Sequence, residues 1–145
     1  MFFPYKDDNP RVLFPYVTYA IIGLNILVFL GQFYVYDNAS MIATFAFIPY
    51  EFKLFTIFTS MFMHGGIMHI IGNMWFLYIF GDNVESILGH ARYLYFYLFC
   101  GAGAAVAQFL IEPYSTTPMV GASGAIAGVL GAYMIKFPKA RVHVL

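Results

Sequence analysis

A serine between glycines is the residue best suited to covalent chemistry in this sequence. Ser123 lies in the run VGASGAIAGVLG at residues 120–131, in a chain otherwise rich in Phe, Tyr, Leu and Ile. A serine hydroxyl can attack a carbonyl carbon and form an acyl-enzyme when a base removes its proton. The alternative is that Ser123 is only a small residue at a helix contact, as in the G-x-x-x-G pair that Gly124 forms with Gly128.

The angular positions of the glycines favour the catalytic interpretation. At 100° per residue, four glycines form a helical stripe about 80° wide: Gly121, Gly124, Gly128 and Gly131. Ser123 lies about 120° from the centre of that stripe. The glycines therefore supply a close-packing surface, and Ser123 points to another side of the helix.

Two polar side chains earlier in the chain, His69 and Asn73, share a helix face at i,i+4 spacing. An imidazole N–H and a carboxamide can both donate hydrogen bonds to the oxyanion of a tetrahedral intermediate. The ordinary alternative is interhelical hydrogen bonding, at about 1 kcal/mol per contact. His64 lies about 140° from His69 around a helix, unlike the i,i+4 pairs that bind zinc. No metal or cofactor is therefore predicted.

The composition indicates that these residues are positioned by membrane-spanning helices. The 145 residues are 61% hydrophobic and 10% charged, with a mean hydropathy of +0.75. A net charge of +0 argues against a nucleic-acid partner and leaves the lipid bilayer as the predicted environment. The fold class predicted is all-α, a polytopic transmembrane helical bundle. Its four spans are expected near residues 15–36, 55–80, 93–111 and 119–137.

Basic residues predict the orientation of the spans. Six of the seven lie on one side of the bilayer, and only Lys53 lies on the other. The positive-inside rule then gives a cytoplasmic N-terminus, with the second and fourth spans parallel. Helical rise places Ser123 about 21 Å, and His69 about 18 Å, from the cytoplasmic ends of their spans. The three polar side chains are therefore expected to meet at similar depth in the outer leaflet.

Three segments in this order resemble the rhomboid family of intramembrane serine proteases: HGGIMHIIGNMWFLYIFGDNVESILG, VGASGAIAGVLGAY and FPKARV. The stretch DNPRVLFPYVTYAIIGLNILVFL is similar to the amino-terminal helix of bacterial members. The resemblance covers nearly the whole chain. It implies a single domain over residues 1–145 with four of the usual six helices, incomplete at the C-terminus, in a bacterial inner membrane.

The resemblance also implies roles for individual residues. Ser123 matches the nucleophile of a water-filled recess that opens to the outer face. His69 and Asn73 match the side chains that stabilise the oxyanion, and His64 matches a structural or assisting histidine. Glu85 matches an architectural carboxylate after the second helix.

Local geometry adds two expectations for the residues around the serine. Gly121 and Gly124 are expected to let a substrate backbone approach Ser123 closely. The helix is expected to begin just before Ser123, where free N–H groups and the positive end of the helix dipole lie.

The general base is the missing component. Rhomboid proteases carry it as a histidine on the sixth helix, beyond the fourth span of this chain. His143 lies about 30 Å from Ser123 if helical geometry continues, and Lys136 about 20 Å away along the same helix. His90 is predicted in a cytoplasmic loop. The base is therefore expected on C-terminal helices of the same protein, and these 145 residues alone are expected to be inactive.

Three functions follow as hypotheses. The first is an intramembrane serine endopeptidase that cleaves transmembrane segments of membrane proteins. The second is a non-proteolytic rhomboid-like protein that binds transmembrane clients, which has no chemical need of the serine and its donors. The third is part of a transporter or channel, which predicts acidic residues at mid-depth. Every Asp and Glu lies at a span end or in a loop, which disfavours the third hypothesis.

Overall fold

Helices form nearly all of the regular structure in the computed structural model, which describes residues 4–7 and 12–144. The six α-helices are α1 (Tyr16–Leu30), α2 (Asn38–Phe45), α3 (Thr56–Thr59), α4 (Ile67–Leu88), α5 (His90–Ile111) and α6 (Ser123–Lys136). A π-helical turn, Gly31–Val35, extends α1, and 3-10 turns occupy Pro49–Glu51 and Ser60–Phe62. Strands β1 (Pro4–Asp7) and β2 (Val142–Val144) pair antiparallel. The predicted all-α bundle is confirmed, with a short ribbon that was not predicted.

The second predicted span, 55–80, is wrong at both ends. Its first part folds as the short helix α3 and a 3-10 turn, and α4 begins only after the Gly-Gly pair at 65–66. Glycine is a poor helix former, and Gly66 adopts an extended φ of 169°. At its other end α4 continues to Leu88 and stops at Gly89, whose φ of +76° is left-handed.

The helices in the first and third predicted spans have bounds close to the predicted ranges, whereas α6 begins later than the fourth predicted range. α1 with its π-helical turn fills the predicted range 15–36, and α5 begins three residues before the predicted 93. α6 begins at Ser123 instead of 119, because the preceding residues pair with another loop. Backbone hydrogen bonds of 3.1 and 2.8 Å join Phe47 and Met119 in both directions.

Two of the helical segments are long and apolar enough to cross a membrane, Tyr16–Val35 and His90–Ile111. Both expose large apolar side chains, among them Leu27 at 68% and Ile111 at 76%. α4 has 22 residues but carries several polar side chains, and α6 has 14 residues. Asn73, Asn83 and Glu85 of α4 are buried, which keeps these polar groups away from hydrocarbon.

Contacts at both ends of α6 fix its direction relative to α4. Near its start, Gly121 lies against His69, and near its end the rings of Tyr133 and Phe80 are 4.8 Å apart. The two helices are therefore parallel, as the sequence predicts for the second and fourth spans.

The predicted glycine stripe divides into residues with different neighbours. A Cβ added to Gly124 would lie 2.4 Å from the Cβ of Ala104, and one added to Gly128 would lie 2.4 Å from the Sγ of Cys100. These two glycines therefore let α6 approach α5 closely. A Cβ on Gly131 would meet nothing within 4 Å, so this glycine contributes nothing to packing.

Glu85 connects α4 to the start of α1. Its carboxylate accepts hydrogen bonds from the backbone N–H groups of Val17 (2.9 Å) and Thr18 (2.8 Å) and from the Thr18 hydroxyl (2.7 Å). Since Pro15 gives α1 no side-chain cap, Glu85 satisfies first-turn donors that the helix itself leaves free. The architectural role expected for Glu85 has this physical basis, although the residue lies within α4 and not after it.

Candidate active site

Ser123 is the first residue of α6, and backbone contacts hold the chain that leads to it. The N–H of Gly121 donates to the carbonyl of Ser60 over 2.9 Å. Gly121 has a φ of +115°, a conformation that side-chain-bearing residues rarely adopt. No side chain caps the helix after Ala122, so its first N–H groups are left for a ligand. The predicted start of the helix beside Ser123 is correct.

Ser123, His69 and Asn73 line one open recess of about 350 Å³ between α4 and α6. The serine is exposed there. The rest of the lining is mostly apolar and consists of Met68, Gly72, Phe76, Ile126, Ala127 and Leu130. The structure thus brings the three predicted polar residues together on an apolar surface.

The ring of His69 lies directly against Gly121. A Cβ on Gly121 would come within 2.7 Å of both Cε1 and Nε2 of the ring. On the other side of the ring, Nδ1 accepts a hydrogen bond from the Gly65 N–H over 3.4 Å. Because a neutral imidazole carries one proton, an accepting Nδ1 places that proton on Nε2. The Nε2 atom, a donor in that tautomer, lies beside Gly121, two residues before the serine.

The Asn73 amide is a second donor beside the same glycine. Asn73 is buried, and its Nδ2 has no hydrogen-bond partner among the residues that the structure describes. A Cβ on Gly121 would lie 3.5 Å from this nitrogen. A buried polar group without a partner costs free energy, and it is a common feature of sites that bind a ligand.

His64 is fully buried and does not line the recess. Its ring packs edge-on against His69, with the ring centroids 5.1 Å apart. His64 lies in the non-helical segment before α4. Its ring contacts His69 without reaching the serine.

The remaining candidates lie away from the recess. Gly124 packs against α5 and does not line the recess, and its role in admitting a substrate backbone stays a prediction. His90 contacts Glu85 over 2.6 Å, His143 lies in β2, and Lys136 ends α6. None of these three lines the recess, in agreement with the prediction that they are not the base.

Sequence reasoning missed the two loops that hold the entry to α6. Phe47 and Ser60 act through their backbone atoms, which carry no residue-type signal in a sequence. Gly121 was the signal in the sequence for these backbone contacts. A glycine just before a helix can adopt a positive φ, and neighbouring backbone must then hold it in that conformation.

A family model described as "Rhomboid domain" matches residues 51–145, which is more than half of the chain. The chain belongs to the rhomboid family. The match begins before α3 and includes every residue of the recess. The resemblance predicted from the sequence is thereby confirmed, and membership places the chain among integral membrane proteins.

Similar proteins include bacterial and mitochondrial rhomboids. "Rhomboid protease GluP" of Bacillus subtilis is 33% identical over 129 residues, which cover 83% of this chain and 24% of that protein. "Putative rhomboid protease YdcA" of the same organism is 33% identical over 78 residues, 54% of this chain and 39% of that protein. "Presenilin-associated rhomboid-like protein A, mitochondrial" of Danio rerio is 32% identical over 91 residues, which cover 59% of this chain and 23% of that protein. The rhomboid chain therefore spans well under half the length of these relatives.

Proposed function

We propose that this rhomboid chain supplies the nucleophile and the oxyanion-binding groups of an intramembrane serine endopeptidase. The observation that carries the proposal is the meeting of two donors, His69 Nε2 and the unpartnered Asn73 Nδ2, beside Gly121 at the start of the helix that begins with Ser123. A rhomboid that only binds clients needs neither an exposed serine nor free donors next to it.

The proposed reaction is acyl transfer through the serine. Ser123 Oγ attacks the carbonyl carbon of a peptide bond while a base takes its proton, and the carbonyl oxygen becomes negatively charged. The Ser123 N–H, His69 and Asn73 donate to that oxygen, and one such donor typically contributes about 3 kcal/mol. The amine leaves with a proton from the base, and water then hydrolyses the acyl-enzyme. The base is proposed to be a histidine on C-terminal helices of the same protein.

The proposed substrates are transmembrane segments of other membrane proteins. The recess is open, and Met68, Phe76 and Leu130 give it an apolar wall beside the three polar groups. An apolar segment that unwinds locally would place its backbone at the donors and its side chains against this wall. The distribution of basic residues supports a cytoplasmic N-terminus, and similarity to bacterial relatives supports a bacterial inner membrane.

The test is cleavage of a single-span model substrate by the full-length protein in proteoliposomes. Ser123→Ala should abolish cleavage, whereas Ser115→Ala, in the loop before α6, should leave the rate unchanged. Wild-type protein should also lose its activity on labelling by a serine-directed fluorophosphonate. Cleavage by the Ser123→Ala variant would refute the nucleophile. A wild-type protein that binds the substrate and never cleaves it would favour the client-binding alternative.

A further inference from the structure

A buried glutamine of the first membrane helix contacts the segment that holds His69, and no step of the proposed reaction uses it. Gln32 lies in the π-helical turn Gly31–Val35 and is 0% exposed. Single π-helical turns within helices occur frequently at functional sites. A carboxamide at this depth has a large desolvation cost unless its hydrogen bonds are made.

Both ends of the Gln32 carboxamide bind the backbone of His64. Nε2 donates to the His64 carbonyl over 2.8 Å, and Oε1 accepts from the His64 N–H over 3.3 Å. The second Nε2 proton is donated to Asn38 Oδ1 over 2.7 Å. Both N–H donors and the oxygen of the amide therefore have a partner, and these three hydrogen bonds determine its orientation.

The His64 carbonyl belongs to the same peptide group as the Gly65 N–H. A peptide group is planar and trans, so its C=O and N–H point in opposite directions. When Gln32 holds the oxygen, the Gly65 N–H must point the other way, where it meets Nδ1 of His69 over 3.4 Å. One peptide plane thus transmits the position of Gln32 to the catalytic histidine ring.

We propose that Gln32 is a positioning residue that keeps the proton of His69 on Nε2. The inference rests on the proposed function, in which Nε2–H donates to the oxyanion. Without the Gly65 N–H at Nδ1, the other tautomer would present a lone pair at Nε2 to a negatively charged oxygen, which is repulsive. Gln32 acts through the backbone of residues 64–65 and touches no substrate.

The first test is the ¹⁵N NMR spectrum of His69 in the full-length wild-type protein, recorded in nanodiscs at alkaline pH. The two ring nitrogens have distinct shifts according to which one carries the proton. The expected signal is that of the Nε2–H tautomer. A predominant Nδ1–H tautomer in the wild-type protein would overturn the inference without any variant.

The second test compares two buried polar residues of the same helix. Gln32→Met keeps the volume and removes the clamp, and Asn25→Leu is the control. Asn25 is also 0% exposed, but its amide donates to the Ile21 carbonyl within its own helix. Gln32→Met should mix the His69 tautomers and lower kcat about 10- to 100-fold with KM unchanged, the range found for partners that orient histidines in metal sites. Asn25→Leu should leave the His69 tautomer unchanged.

The outcomes separate this inference from the proposed function. If Gln32→Met and Asn25→Leu give the same His69 spectrum and the same kcat, the positioning role is refuted. If Gln32→Met does not fold, the tautomer of His69 in the wild-type protein is the measurement that decides whether the inference stands. If proteolysis survives Ser123→Ala, the proposed function fails, while the tautomer measurement still reports on the clamp.

Discussion

Replacing Gly124 with alanine tests whether α6 depends on direct backbone contact with α5. The added Cβ would lie 2.4 Å from the Cβ of Ala104, whereas ordinary contact begins at 3.4 Å. The two helices would have to separate locally by about 1 Å, and overpacking of this kind costs about 1–3 kcal/mol. Because Ser123 precedes Gly124, the same movement would displace the nucleophile relative to His69.

Gly131→Ala is the matched control, since it makes the same chemical change on the same helix. Nothing lies within 4 Å of a Cβ at Gly131. Alanine gains up to about 1 kcal/mol of helix propensity over glycine, less at Gly124 in the first turn of α6 than at Gly131 in its interior, which adds to the difference in the same direction. The expected difference in unfolding free energy between the variants is therefore about 1–3 kcal/mol, with Gly124→Ala the less stable.

The assay is reversible unfolding of the full-length protein in mixed micelles with an increasing SDS fraction, followed by circular dichroism. Ala104→Gly removes the opposing Cβ but costs about 1 kcal/mol of helix propensity in α5, so the double variant is compared with Ala104→Gly alone. In that background Gly124→Ala should cost little. Equal stability of Gly124→Ala and Gly131→Ala would refute the close contact, and an unchanged cost of Gly124→Ala in the Ala104→Gly background would show that the cost arises elsewhere.

Further substitutions test the recess and the clamp on α1. Gly121→Ala should cost about 1–3 kcal/mol of unfolding free energy, because alanine is strained at a φ of +115°. Its Cβ would also crowd the His69 ring, so proteolytic activity should fall by more than the amount of folded protein does. Unchanged activity would contradict the close contact between Gly121 and His69. Asn73→Ala should lower kcat about 10²- to 10³-fold with little change in KM, and an effect confined to KM would indicate substrate positioning instead. Glu85→Gln should lower the unfolding free energy by about 1–3 kcal/mol, because an N–H group of α1 loses its acceptor. Ser86→Ala, the neighbouring comparison, removes only an exposed 3.3 Å acceptor for the Leu13 N–H and should cost less than Glu85→Gln.

Residue type and helical spacing predicted that three polar residues in apolar segments would lie close together, and Ser123, His69 and Asn73 line one recess. The recess itself was implied by the resemblance to the rhomboid family. Gln32 gave a weaker signal of the same kind, since it is one of two carboxamides, with Asn25, in a mostly apolar first span. Its partners are two backbone atoms of residue 64 and the side chain of Asn38, and the sequence does not reveal these contacts.

Segment length was a less accurate guide to the bounds of the helices than residue type was to the polar residues of the recess. The apolar run at 55–80 has the length of a span, but the Gly-Gly pair at 65–66 breaks it, and composition does not register that break. α6 begins later than the predicted range for another reason. The backbone hydrogen bonds between Phe47 and Met119 are a long-range contact, which local sequence signals do not contain. Gly124 was predicted to admit the substrate backbone because it follows Ser123 in the sequence. Its contact with Ala104 of α5 is visible only in the structure.

The hydrogen bonds of Glu85 also fix the position of α4 along the axis of α1. Until α4 docks on α1, the charged carboxylate must reach the aqueous interface, because exposure to hydrocarbon is costly. A slip of one helical turn, about 5.4 Å, would separate it from both N–H donors of α1. α4 is one continuous helix, so the same register fixes the depth of Asn73, roughly 18 Å away along its axis. In the proposed protease, the contact of Glu85 at one end of α4 thus fixes the depth at which Asn73, near the other end, meets the peptide bond of the substrate.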